Sequence, residues 1–112
     1  MHELSLCQSL IDQVQQLALI HGAQSVGLVT LKIGPLSGVE PALMQHAYPF
    51  ASAGTLAAES TLVIQLAPLQ VRCESCGAET EAEPSWLVCA ACGSCHTQLV
   101  SGDEMMLMSV EL

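Results

Sequence analysis

Two cysteine pairs constrain this chain more than any other feature. Cys73-Glu-Ser-Cys76 and Cys89-Ala-Ala-Cys92 are CxxC motifs separated by twelve residues. Each motif bends the backbone so that two thiolates reach one ion, and two such knuckles supply the four soft ligands of a closed tetrahedral zinc site. Gly77 and Gly93 each follow the second cysteine of a pair, where a knuckle turn needs a residue that tolerates positive φ. Four thiolates leave no open coordination position, so such a zinc is expected to be structural and not to activate water. Cys95 extends the series Cys89, Cys92 at the same three-residue interval, and His96 is an alternative nitrogen ligand. The two CxxC pairs are the favoured set, with Cys95 just outside it.

Charge narrows the partners. Lys32 and Arg72 are the only basic residues, against eleven acidic ones, giving a formal net charge of −9. Affinity for a phosphate backbone comes largely from Lys and Arg displacing counterions, so no nucleic acid partner is expected, and anionic membranes are disfavoured in the same way. The knuckles carry Glu74, Glu79, Glu81 and Glu83 where a nucleic-acid-binding ribbon would carry basic residues. Polar residues interrupt each apolar stretch well before the roughly 20 residues needed to span a bilayer. The start Met1-His2-Glu3 lacks a basic region leading into an apolar run, so no secretory signal is expected. The cytosol is the expected compartment, where clustered cysteines hold metal more often than they form disulfides.

Around the cysteine segment the pattern is that of an α/β chain. Leu4, Cys7, Ile11, Val14 and Ala18 fall on one helical face over 4–20, and Gly22 predicts a left-handed cap after His21. Residues 26–33 predict a strand that Gly34-Pro35 ends. A second helix is expected to open near Ser37 or Gly38 with Pro41 in its first turn and Leu43, Met44, Ala47 and Phe50 facing inward, and Pro49 predicts a kink or an early end. Residues 61–67 alternate with Leu62, Ile64 and Leu66 on one face, and 104–112 alternate with Met106, Met108, Val110 and Leu112 together. The expected fold is α+β: two helices on a small three-stranded sheet, formed by 1–67 plus 102–112, with a zinc-ribbon-like module inserted at 68–101.

The chain begins with an amine, an imidazole and a carboxylate within three residues. The Met1 amine, the His2 amide and a ring nitrogen of His2 can close adjacent chelate rings in one plane, a nitrogen-rich geometry suited to Ni(II) or Cu(II). Glu3 can add an oxygen or orient the imidazole. An early histidine alone is weak evidence, because termini commonly fray. Elsewhere the plain readings prevail: Cys7 as a small core residue, His21 and His46 as cap or surface groups, and Met105, Met106 and Met108 as core filler. No nucleophile–base pairing that would mark an enzyme is visible.

Taken end to end, the sequence resembles the HypA/HybF family of hydrogenase maturation proteins, which act as nickel metallochaperones. The resemblance rests on MHELSLCQSLI at the start, LKIGPLSGVEP in the middle, Gly54-Thr55, the two CxxC pairs, and the closing GDEMMLMSVEL. It implies Ni(II) as a transient cargo bound by His2, with Met1 and Glu3 as co-ligands or support, and structural Zn(II) at Cys73, Cys76, Cys89 and Cys92. It also implies two partners, the GTPase HypB and the large subunit of [NiFe]-hydrogenase, and some members form homodimers. The alternative reading is a zinc-ribbon protein-interaction or nucleic-acid adaptor module that delivers no nickel.

Overall fold

The computed structural model describes residues 2–112. Element order is α1 (Glu3–Ile20), β1 (Leu28–Ile33), α2 (Pro41–Ser52), β2 (Thr61–Leu66), β3 (Gln70–Cys73), β4 (Glu79–Glu81), β5 (Thr97–Ser101) and β6 (Met105–Glu111). The strands form two three-stranded sheets, β2-β1-β6 and β4-β3-β5. The chain divides into two compact units. One comprises 2–32, 39–65 and 106–112 of the described residues, and the other comprises 33–38 and 66–105.

The first unit holds both helices. In α1, Cys7, Leu10, Ile11, Val14 and Ala18 form the buried stripe. Its C-terminus closes as a Schellman motif: the Ala23 amide donates to the Ala18 carbonyl at 2.8 Å, and that of Gly22 to Leu19 at 3.1 Å. Gly22 sits at φ 68, where a side chain would be strained. The second helix starts at Pro41, later than the predicted Ser37 or Gly38. A proline pushes the preceding residue out of the α region, and Glu40 accordingly lies extended at ψ 114. Hydrogen bonds from Thr61 N to Gly27 O and from Gly27 N to Glu111 O, each of 3.0 Å or less, anchor the ends of β2 and β6 beside β1. These registers make β2 parallel and β6 antiparallel to β1, with α2 as the crossover between the parallel strands.

Several inward-facing assignments change. The helix runs through Pro49 to Ser52, so the proline costs only a bond in the last turn, where Gln45 and Pro49 are both exposed and water can serve instead. The buried stripe of α2 is Met44, Tyr48 and Ser52, which rotates Phe50 out to 78% exposure and leaves Leu43 at 46%. Tyr48 can be buried because its hydroxyl is paired with Ser60 Oγ at 2.6 Å. Met106 and Met108 are about half exposed and Leu66 is 74% exposed, so these residues do not fill the core. The core of this unit is instead built from Val14, Val29, Leu31, Met44 and Cys7, each of the larger ones contributing roughly 1.5–3 kcal/mol by burial.

In the second unit, β3 is the central strand, antiparallel to both neighbours, with Val71 paired to Thr80 on one side and Leu99 on the other. Its interior contains Ile33, Ala67, Leu69, Val71, Cys73 and Cys89. The small size of this core makes the cysteine cluster important to its order.

Candidate metal centres

The two knuckles have matching backbone geometry. In the first, the Gly77 amide donates to the Cys73 carbonyl at 2.9 Å and the Cys73 amide donates to Ala78 at 2.9 Å. In the second, the Gly93 amide donates to the Cys89 carbonyl at 2.8 Å and the Cys89 amide to Ser94 at 2.9 Å. Gly77 and Gly93 lie at φ 76 and 78, the left-handed conformation their sequence positions require. The first knuckle is held against β5 by the Glu74 amide, which donates to the His96 carbonyl at 2.8 Å.

This arrangement brings Cys73, Cys76, Cys89 and Cys92 together, with all four sulfurs within 4.8 Å of one another. Cys73 Sγ lies 3.5 Å from Cys92 Sγ, and Cys76 Sγ lies 3.6 Å from Cys89 Sγ. A tetrahedral zinc about 2.3 Å from each thiolate would set its sulfurs about 3.8 Å apart, so the cluster fits such an ion. Cys73 and Cys89 are buried, while Cys76 and Cys92 face outward.

Electrostatics favour thiolate at the first cysteine of each pair. The Cys76 and Ser75 amides point at Cys73 Sγ at 3.4 and 3.3 Å and pull its pKa down to about 6. The Cys92 amide similarly lowers Cys89. At Cys92 the Ser94 amide acts in the same direction, but the adjacent Cys73 and Cys76 sulfurs outweigh it and push the group up to about 12. Four sulfurs this close cannot all carry charge without a cation among them, which is the behaviour expected of a metal site. Cys95 and His96 are exposed and do not belong to the four-sulfur group.

At the other predicted site, His2 occupies the N-cap of α1, is exposed, and makes no capping hydrogen bond through its imidazole. Its carbonyl accepts the Leu6 amide at 3.0 Å, the first bond of the helix. Glu3 is buried at 6% exposure at the positive end of the helix dipole. Sequence periodicity alone gave no sign of that burial. Glu3 also borders a cavity of about 300 Å³ together with Leu4, Leu43, His46, Ala47 and Phe50. The predicted ligand Met1 lies outside the described residues. Cys7 is buried, with its thiol directed to the Met44 carbonyl at 3.6 Å, and is a core group. No helix among the described residues is long and apolar enough to cross a membrane.

Comparison with known proteins agrees with this geometry. The family model described as "Hydrogenase/urease nickel incorporation, metallochaperone, hypA" matches residues 1–112. The hydrogenase maturation factor HypA of Nitrosospira multiformis is 60% identical over 112 residues, covering 100% of this chain and 97% of the relative. That of Aquifex aeolicus is 41% identical over 112 residues, with the same coverage. The solution structure of the nickel metallochaperone HypA from Helicobacter pylori superposes with a TM-score of 0.68 at 26% identity, covering 100% of this chain and 97% of that one. A second HypA solution structure gives 0.75, also at 26% identity, covering 100% of this chain and 96% of that one. With a match that runs the whole length of the sequence and a shared fold, this chain belongs to the HypA family of hydrogenase maturation factors, metallochaperones rather than enzymes.

Proposed function

We propose that the chain binds Ni(II) at its N-terminus and delivers it during [NiFe]-hydrogenase maturation, with zinc held at Cys73, Cys76, Cys89 and Cys92 as a fixed structural ion. The observation that carries the nickel reading is the state of His2. Its imidazole is exposed and is not used as a helix cap. The Met1 amine, the His2 amide and the imidazole then form a nitrogen-rich chelate, and the carboxylate of Glu3 supports it from its buried place in the first turn.

The two ions have opposite requirements. Four thiolates in a closed shell hold zinc firmly and fold the segment around it. A site at a chain terminus contains few protein ligands, leaves coordination positions to an incoming acceptor, and can release its ion. In this reading the nickel-binding part is 1–67 plus 102–112 and the zinc-binding part is 68–101. The GTPase HypB and the large subunit of [NiFe]-hydrogenase are the partners in delivery, in the cytosol, and the chain works alone or as a homodimer.

Calorimetric titration of Ni(II) into zinc-loaded protein with its native Met1 tests the proposal. Binding of about one nickel per chain is expected, with loss in His2→Ala and in a form extended by one residue before Met1. Equal binding by all three forms would place nickel elsewhere and refute the N-terminal site.

A further inference from the structure

Trp86 is the chain's single tryptophan, and it is 68% exposed. A side chain of this size is ordinarily largely buried, and indoles held outward are enriched at contact surfaces. The order is visible in the backbone. The Trp86 amide donates to Glu83 at 2.9 Å, the two residues form an antiparallel bridge, and the Val88 amide donates to the Trp86 carbonyl at 2.9 Å. Beyond the turn, Thr97 Oγ1 donates to the Leu87 carbonyl at 2.8 Å, and the Ala90 amide donates to Thr80 Oγ1 at 3.1 Å. The indole is therefore presented on a turn that is fixed on both sides.

Charge identifies what it is presented to. The unit containing Trp86 carries six carboxylates, among them Glu81 and Glu83 leading into the turn, and one guanidinium, that of Arg72. Arg72 is already committed to Glu79, with Nη2 at 2.8 Å and Nε at 3.2 Å from the same oxygen. Glu81 and Glu83 are exposed. An indole face attracts a cation through its quadrupole, and carboxylates beside it add a Coulombic term of the same sign.

We infer that Trp86, with Glu81 and Glu83, is a docking point for a Lys- or Arg-bearing segment of a protein partner, the cation lying over the indole. The surface repels acidic segments, nucleic acid and anionic lipid. The inference is independent of the nickel reading and is tested without nickel.

Because Trp86 is the sole tryptophan, its emission reports on this surface. The experiment titrates zinc-loaded, full-length protein with acetylated tetra-arginine amide. A saturable emission change is expected. The Glu81→Gln/Glu83→Gln variant should bind about fivefold more weakly, and the charge-matched control Asp12→Asn/Glu59→Gln should change affinity less than about twofold. Calorimetry on Trp86→Ala should show binding weakened roughly two- to fivefold. Both double variants retain the tryptophan, and zinc content verifies that each is folded. Equal weakening in the two double variants would reduce the effect to net charge and overturn the inference. An emission change driven by protein concentration alone would assign the surface to a second copy, and one driven by an oligonucleotide or anionic vesicles would assign it to those partners. Either outcome would also overturn the inference.

Discussion

Gly34 and Gly102 meet backbone to backbone: a Cβ on Gly34 would run into the carbonyl of Gly102, and one on Gly102 would come within 2.6 Å of Leu69 Cδ1. The Gly102 carbonyl also accepts the Leu36 amide at 2.7 Å, while the Gly34 amide donates to Glu104 at 2.8 Å. Two of the sequence pieces that carry the family resemblance, LKIGPLSGVEP and GDEMMLMSVEL, thus touch through their glycines. Gly34→Ala is expected to cost about 1–3 kcal/mol by overpacking. Gly102 lies at φ 121, so Gly102→Ala adds backbone strain to the clash. Chemical denaturation of zinc-loaded protein measures both, and unchanged stability in Gly34→Ala would contradict the close approach.

The four-sulfur cluster should be necessary for the second sheet. Replacing Cys73 or Cys92 by Ser is expected to abolish retained zinc, whereas Cys95→Ser keeps it, because Cys95 stands outside the group. A strong chelator should release amide-exchange protection in β3 and β5 while the amides of β1 and α1 stay protected. Metal analysis and hydrogen exchange read these outcomes, and simultaneous loss of protection in both units would show that they fold as one.

Burial gives the helical unit a pH dependence at the alkaline end. Desolvation pushes the Cys7 thiol above its ordinary 9.0, with a smaller push from Glu3, and raises Tyr48 above 10.0 against the lowering effect of its bond to Ser60. Both groups are neutral in the fold, and the unfolded chain releases its protons at lower pH than the fold does. Their contribution is therefore complete below pH 9, and it declines as pH rises through 9 and 10 toward the higher folded values. Thermal melts followed by helical circular dichroism should show a falling midpoint over this range, and a shallower fall in Cys7→Ala.

The Tyr48 hydroxyl and Ser60 Oγ lie 2.6 Å apart, and the Ser60 hydroxyl also reaches the Ala57 carbonyl at 2.6 Å. Tyr48→Phe removes one partner from a part-buried pair and is expected to cost about 1 kcal/mol. Phe50→Ser, two residues on and on the exposed side of the helix, should change stability by less than about 0.5 kcal/mol. A reversed ranking in denaturant melts would show that the buried stripe of α2 is misassigned.

Much of the molecule was legible in the sequence because its signals are local. A CxxC followed by Gly specifies its own turn, and Gly77 and Gly93 adopt the conformation that the spacing demanded. Gly22 closed α1 where expected, and the four cysteines that the fold gathers could be named from their spacing. What only the tertiary structure decided was rotation and partnership. The 3.6-residue period fixes which residues share a stripe, while the neighbours fix which stripe is buried. Tyr48 therefore turned inward beside Met44, which had been expected there, while Phe50 turned outward, and Glu3 was buried where Leu4 had been expected. Alternation along β6 was equally real, yet Met106 and Met108 remain half exposed, because alternation specifies two faces and burial needs an element to cover one of them. The segment 33–38 grouped with the cysteine unit for the same reason: Gly34 and Leu36 bond to Glu104 and Gly102, residues nearly seventy positions away that no local pattern could connect.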